Sequence, residues 1–167
     1  MTHTKQQRLP DWFRQSGSKL KATRKLSKLL DAEVPNSICQ EARCPNRSEC
    51  FSKGVLTFMI LGTICTRNCG FCSVSHGKPL PPDPNEADII LRSIKKLNLR
   101  FVVLTSPNRD ELPDQGSGHY AMIVRKIRKT FPEVRVEVLI PDFKGNTDHL
   151  KTVMDACPDV VNHNIET

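Results

Sequence analysis

The sequence predicts an α/β protein with a parallel sheet of about four strands, and three observations carry that reading. From Val55 onward, short apolar runs rich in β-formers alternate with longer stretches striped at helical spacing. The runs are separated by whole helices rather than by tight turns, which is the pattern of strand–helix–strand units and not of hairpins. The most polar loops and a cysteine triplet fall just after the runs, where parallel folds gather their chemistry.

The elements follow in order. Residues 1–54 show no clear strand and form an N-terminal extension; residues 55–167 form the α/β domain. Within the extension, Ala22, Leu26, Leu29 and Leu30 share one side of a helix, and Lys21, Arg24, Lys25 and Lys28 share the other. A cysteine-bearing loop runs from Pro35 to about Lys53. The apolar run VLTFMIL at 55–61 is the first strand. A proline-rich loop (79–85) ends at Asn85, an expected N-cap, and Ala87, Ile90, Leu91, Ile94 and Leu97 mark one helix face. FVVLT at 101–105 is the second strand, followed by a polar loop over 106–118. Tyr120, Ile123, Val124 and Ile127 stripe the next helix, and 134–140 is the third strand. Leu150, Val153, Met154 and Cys157 stripe the last helix before a fourth strand at 159–163.

A length of 167 residues and a hydrophobic share of 38% suit one domain with a real core. Charged residues at 26%, with 8 Gly and 12 Pro, exclude a disordered or collagen-like chain. The longest apolar stretch, 55–65, is too short to span a bilayer, and the opening MTHTKQQRLP lacks the apolar core of a leader. A cytoplasmic protein is expected. The net charge of +7 is carried by residues 1–30, which hold eight Lys/Arg and one Asp, while the remainder holds seventeen of each sign. That distribution describes a solvated basic helix face better than a nucleic-acid groove or a membrane site. With 1 Tyr and 1 Trp there is no aromatic-interleaved basic patch either, so neither nucleic acid nor membrane is expected as a partner.

Of 7 cysteines, six fall between Cys39 and Cys72. Clustered thiols in a reduced protein point to metal rather than to disulfides. Cys65, Cys69 and Cys72 form C-x3-C-x2-C in GTICTRNCGFC, directly after the first strand. Three thiolates at this spacing can reach three corners of a four-iron cubane, which usually takes four cysteines, so one iron is left open to a substrate or cofactor. A zinc site would want paired C-x2-C units or an added histidine such as His76, the weaker alternative. Cys39, Cys44 and Cys50 form C-x4-C-x5-C, a spacing compatible with zinc or iron–sulfur; its closeness to the first triplet favours a second cluster. Cys157, on an apolar stripe, reads as a buried structural thiol.

The C-x3-C-x2-C with Phe71 before the last cysteine resembles the radical S-adenosylmethionine signature. Taken with EARCPNRSEC, TFMILGTICTRNCGFCSV, VVLTS, NRDELPD, VEVLIPDFKG and NHNIET, the chain resembles lipoyl synthase from about Arg8 to Thr167. The resemblance implies an incomplete (β/α) partial barrel of the radical-SAM type, preceded by the N-terminal helix and cysteine-rich loop. It implies two [4Fe-4S] clusters and S-adenosylmethionine as cofactors. Cys65, Cys69 and Cys72 would hold the reducing cluster, and Cys39, Cys44 and Cys50 an auxiliary cluster consumed as sulfur source. The implied activity is that of a sulfurtransferase inserting two sulfur atoms at C6 and C8 of a protein-bound octanoyl chain. Its C–H bonds are unactivated, so radical chemistry is required and no general base is nominated. Octanoylated lipoyl carrier domains and an electron donor such as ferredoxin or flavodoxin would be partners.

By the same resemblance, Phe71 would flank the adenine, Thr105 and Ser106 would approach the methionyl part, and Asn164 or Glu166 would bind ribose hydroxyls. For Asn164 and Glu166, ordinary loop capping is an equal reading. Arg109 and Asp110 read equally as a loop salt bridge, worth little if exposed. Arg43, beside a cluster ligand, would steady an anionic cluster. Three departures stand out. Pro107 occupies a position where the family usually has a small aliphatic residue. The family's late Arg-Ser-Ser-Tyr stretch, which gives the auxiliary cluster a serine oxygen, does not occur in these residues, and neither does its late glycine-rich strand. The alternative reading is therefore a catalytically incomplete iron–sulfur protein: a fragment, a split half served by a complementing C-terminal polypeptide, or a cluster or sulfur carrier.

Overall fold

The computed structural model describes residues 47–70 and 72–164. The basic helix, Cys39, Arg43, Cys44, Phe71 and Glu166 lie outside the described residues.

The first described element corrects the expected loop. Residues Arg47–Ser52 form a short helix, α1, which carries Cys50. Phe51 packs from it against the core, and Ser52 Oγ donates back to the Glu49 carbonyl at 2.7 Å. Gly54, at φ +71°, then turns the chain into the sheet, and its carbonyl accepts from the Arg100 and Phe101 amides.

The main sheet is built from β1 (Val55–Met59), β4 (Phe101–Thr105), β5 (Arg135–Leu139) and β6 (Val160–Asn162), in that spatial order. Every pairing is parallel. Between them run α2 (Glu86–Leu97), α3 (Ser117–Thr130) and α4 (Thr147–Met154). The α/β parallel architecture expected from the alternation is therefore the one observed, consistent with a partial (β/α) barrel. A second ladder, β2 (Ile64–Cys65) with β3 (Ser75–His76), was not expected; two-residue strands leave no periodic signal.

The period of two along each strand separates core from site. Leu56 and Phe58, Val102 and Leu104, and Val136 and Val138 are buried in one cluster with Ala87, Ile90 and Ile94 of α2 and Tyr120, Ile123, Val124 and Ile127 of α3. The opposite face carries the alternate residues. The register aligns Met59 with Thr105 and Thr105 with Leu139, making a row at the C-terminal ends of three strands.

Two local expectations need correction. Asn85 occupies the N-cap of α2, but its side chain makes no capping bond. The last helix also turns a different face inward. It ends at Met154, and only Val153 of its length is buried; Leu150 and Met154 are 39% and 49% exposed. Phe143, buried in the preceding turn, meets His149 edge-on at 6.1 Å, so the inward row is His149, Val153 and Ala156.

Cys157 consequently lies beyond the helix at φ +56° and is exposed, not the buried thiol its spacing suggested. Cys157→Ala should change stability by less than about 0.5 kcal/mol, as for surface substitutions generally. Urea denaturation of the two proteins checks this, and a loss above about 1.5 kcal/mol, typical of a core truncation, would contradict the exposed placement.

Candidate functional site

At the C-terminal end of β1 the chain leaves the sheet abruptly. Leu61 adopts φ +65° and Gly62 φ +87°, a bend outside the strand ladder. Two side chains satisfy it. Glu86 accepts the Leu61 amide at 2.9 Å while bonding His119 at 2.6 Å, and Arg109 donates to the Leu61 carbonyl. Arg109 also donates to the Leu80 carbonyl at 2.7 Å and to Glu111 at 2.6 Å. One guanidinium thus pins both ends of the 61–80 excursion.

Within that excursion lies the cysteine loop. The β2–β3 ladder closes it, with the Gly77 amide donating to the Cys65 carbonyl at 2.9 Å and the Cys72 amide to the Cys69 carbonyl at 3.1 Å. Cys65 is buried, Cys69 half-buried and Cys72 exposed, and all three are free thiols. All three line one cavity of about 280 Å³ over the sheet's C-terminal edge. Its wall includes Thr57, Met59, Thr105 and Leu139, the face of the sheet turned away from the helices, with Ser106 and Asn164 at the rim.

Beneath the cavity, Tyr120 is fully buried, and its hydroxyl bonds the Leu139 carbonyl and Ser106 Oγ, each at 3.0 Å. Burial holds that hydroxyl above the ordinary tyrosine range, so it stays protonated and serves as a strut.

The loop after β4 is stitched to the cysteine loop. The Thr66 amide and Oγ1 both donate to the Asn108 carbonyl, at 3.1 and 3.0 Å, and the Asp110 amide donates to Thr66 Oγ1 at 3.2 Å. Arg67 then grips two carboxylates. It meets Asp110 through Nε and Nη2 at 2.7 and 2.9 Å, and Asp142 through Nη1 and Nη2 at 2.7 and 2.8 Å. The Arg67 guanidinium lowers the Asp110 carboxyl and takes Asp142 to about 2. Depressed carboxyl values add stability above the unfolded value of about 3.9, lost only as pH falls toward 2. The grip is therefore complete at neutral pH.

The donor set can be tested against the cofactor the spacing suggests. Among the described residues, no three His, Cys, Asp or Glu side chains come together as a site for a single metal ion. Three soft thiols lining one cavity, on a loop outside any regular helix, match the donor type of an iron–sulfur cluster. The rest of the cavity wall is mixed in polarity, from Met59 and Leu139 to Thr105, Ser106 and Asn108. The residues present fit such a group. His76 is exposed and is not part of the wall, so it adds nothing to the set.

Of the residues singled out in the sequence, the structure brings Cys65, Cys69, Cys72, Thr105, Ser106 and Asn164 to one cavity. Pro107 lines it as well. Cys50, on α1 ahead of β1, does not line this cavity. Arg109 and Asp110 do not form the expected weak pair with each other. Arg109, 2% exposed, bonds Glu111, and Asp110 bonds Arg67. Sequence reasoning placed Arg67 and Asp142 in polar loops at the strand ends but gave neither a role of its own. Their charges lie 75 residues apart, and only the parallel topology joins them.

A family model for the radical SAM superfamily matches residues 59–167. The chain belongs to the radical SAM superfamily. Within that superfamily it is similar to proteins named lipoyl synthase. It is 54% identical to that of Histophilus somni (strain 2336) over 132 residues, covering 78% of this chain and 41% of the relative. It is 53% identical to that of Pasteurella multocida (strain Pm70) over 132 residues, with the same coverage. It is 46% identical to that of Methylobacillus flagellatus over 161 residues, covering 96% of this chain and 50% of the relative. The chain thus spans about half the length of these curated relatives. Among the described residues, no helix of this radical SAM protein is long and apolar enough to cross a membrane.

Proposed function

We propose that this chain carries the S-adenosylmethionine-binding half of a lipoyl synthase, a radical sulfurtransferase. The observation that supports it best is the convergence of Cys65, Cys69 and Cys72 with Thr105, Ser106 and Asn164 on one cavity at the strand ends. In this reading the three thiolates hold a four-iron cluster. When bound, that cluster supplies the electron for reductive cleavage of S-adenosylmethionine, the chemistry that unactivated C–H bonds demand.

The chain's own residues position and shield. Thr105 and Ser106, at the end of β4, face the methionyl part, with Ser106 held by Tyr120. Asn164 and Glu166 address the ribose, and Phe71 the adenine. Met59 and Leu139 give the floor apolar surface that limits water around reactive carbon. Residues 1–54 form the extension that carries Cys39, Cys44 and Cys50 to a second, sulfur-donating cluster, and residues 55–167 form the partial barrel. Octanoylated carrier domains are the substrate, a ferredoxin- or flavodoxin-type protein the electron donor, and the cytoplasm the compartment.

One observation favours an accompanying reading, in which the described half does not complete sulfur insertion unaided. Among the described residues, β6 is an edge strand paired on one side, and its Val160 is 39% exposed, as are Leu150 and Met154 of α4 at 39% and 49%. An open apolar edge of this kind normally requires a covering element.

The test is anaerobic reconstitution of the 167-residue chain with iron and sulfide, followed by reductant, S-adenosylmethionine and an octanoylated carrier domain. Chromatography should reveal 5′-deoxyadenosine, formed slowly. Mass spectrometry should show the carrier unsulfurated until a polypeptide matching the rest of the relatives' length is added. No 5′-deoxyadenosine under any of these conditions would remove the proposal, and a lipoyl mass shift with this chain alone would remove the incomplete-half reading.

A further inference from the structure

A cavity-lining arginine between two cluster-ligand cysteines invites the reading that it binds an anionic ligand. The geometry argues against that. Nε, Nη1 and Nη2 of Arg67 are already engaged by Asp110 and Asp142, and Lys144 Nζ adds a second, looser cation 3.7 Å from Asp110. Arg67 and Asp110 are 29% and 20% exposed, so solvent reaches only part of the pair; Asp142 is more open at 44%. Bidentate geometry to both partners fixes the guanidinium plane as well as its position.

Each carboxylate is itself held in place. The Asp110 backbone is tied to Thr66, the residue before Arg67, at 3.2 Å. Asp142 accepts the Lys144 amide at 3.0 Å across a tight turn in which Phe143 and Lys144 both adopt positive φ, +46° and +48°. Two consecutive non-glycine residues in that region are strained, and the burial of Phe143 at 2% exposure keeps the turn in place. Arg67 therefore joins three successive βα loops: its own after β1, that of Asp110 after β4 and that of Asp142 after β5.

The backbone of Arg67 supplies the link to the site. Its amide donates to Cys65 Sγ at 3.3 Å. Hydrogen bonds to cysteine sulfur are among the determinants of a cluster's reduction potential. We propose that Arg67, with Asp110 and Asp142, is a positioning clamp that holds the cysteine loop over the ends of β4 and β5 and keeps the Arg67 amide on the Cys65 sulfur. This rests on the reading that Cys65, Cys69 and Cys72 bind a cluster. It adds that the arginine acts through the loop and not by contacting S-adenosylmethionine.

The experiment compares wild type with Arg67→Lys, Arg67→Met and Asp142→Asn. Lysine at 67 keeps the charge but loses the fork. The Asp142→Asn change keeps the side chain's shape but loses one charge-assisted partner. The first readout needs no cluster: amide hydrogen exchange over residues 64–70 in the iron-free chain. It should quicken roughly tenfold or more in Arg67→Met, with lysine giving only partial rescue and Asp142→Asn a smaller change. The second readout is the midpoint potential of the cluster after anaerobic loading. It should move to more negative values in Arg67→Met, because a donor to sulfur has been loosened.

Unchanged exchange across all three variants would overturn the clamp, as would a midpoint potential that stays at the wild-type value while exchange quickens. If Arg67→Met does not fold, Arg67→Lys and Asp142→Asn carry both readouts and decide by the same criteria. Full restoration of exchange and potential by lysine would show that charge alone matters, which also overturns it. A wild-type chain that takes up no sulfide-containing cluster would fail the reading of the site, and the iron-free exchange data would still decide the clamp.

Discussion

Replacing Cys65, Cys69 and Cys72 together with alanine is expected to abolish S-adenosylmethionine cleavage to background and to remove one cluster's iron and sulfide. The sheet should keep its fold. Cys69 is half-buried and Cys72 exposed; alanine at buried Cys65 removes the sulfur that accepts the Arg67 amide, but the backbone bonds that close the loop, the β2–β3 ladder and the Gly77–Cys65 contact, are retained. Iron and sulfide analysis after anaerobic reconstitution reads the result. Metal assigned to Cys39, Cys44 and Cys50 should remain, so the variant is expected to hold about half the wild-type content on the two-cluster reading. Unchanged iron and sulfide in the triple variant would mean that the triplet is not the ligand set. Stoichiometric zinc without sulfide in anaerobically purified wild type would remove the iron–sulfur reading altogether.

The second large effect is on stability. Arg109→Met should destabilise the protein by about 2–3 kcal/mol, the upper part of the range for leaving a buried acceptor without its donor, while Glu111, 40% exposed, is left in contact with solvent. Methionine matches much of the arginine's length, so little of that loss comes from an empty cavity. It leaves the Leu61 and Leu80 carbonyls without their donor and Glu111 without its cation. The bend at Leu61 has no other partner for its carbonyl among the bonds described, so the whole 61–80 excursion should loosen with it. Urea denaturation of the iron-free proteins measures the difference. A change below about 1 kcal/mol, the scale of an exposed pair, would show that Arg109 is no more than a surface salt bridge.

The strands at Phe101–Thr105 and Arg135–Leu139 and the helix face from Tyr120 to Ile127 could be read directly, because burial on one face imposes a strict period. The triplet could be read too, since ligand spacing on one loop is a local property. Thr105, Ser106 and Asn164 came from resemblance alone, and the strand ends bring them to the same cavity.

What stayed hidden was either non-local or too short. The Arg67–Asp142 pair spans 75 residues of sequence and exists only because β1, β4 and β5 lie side by side in parallel. Arg109 looked like an ordinary loop charge, because nothing in its neighbours announces that two distant carbonyls will need a donor. α1, at 6 residues, was too short to show a stripe. The last helix misled for another reason. Four apolar positions at ideal spacing implied one inward face, but the buried Phe143 drew the His149 side inward and left Leu150 and Met154 in solvent.

On the proposed function, the thiols of Cys65, Cys69 and Cys72 hold a cluster with an iron open to S-adenosylmethionine in the cavity at the strand ends. Electron paramagnetic resonance of the reduced, reconstituted protein, recorded with and without S-adenosylmethionine, tests it most directly. The expected result is a cluster signal whose g-values shift when S-adenosylmethionine is added, with that responsive signal missing from the triple-alanine protein. A wild-type signal that S-adenosylmethionine leaves unmoved, or a responsive signal that survives loss of all three cysteines, would show that these thiols do not hold the S-adenosylmethionine-binding cluster.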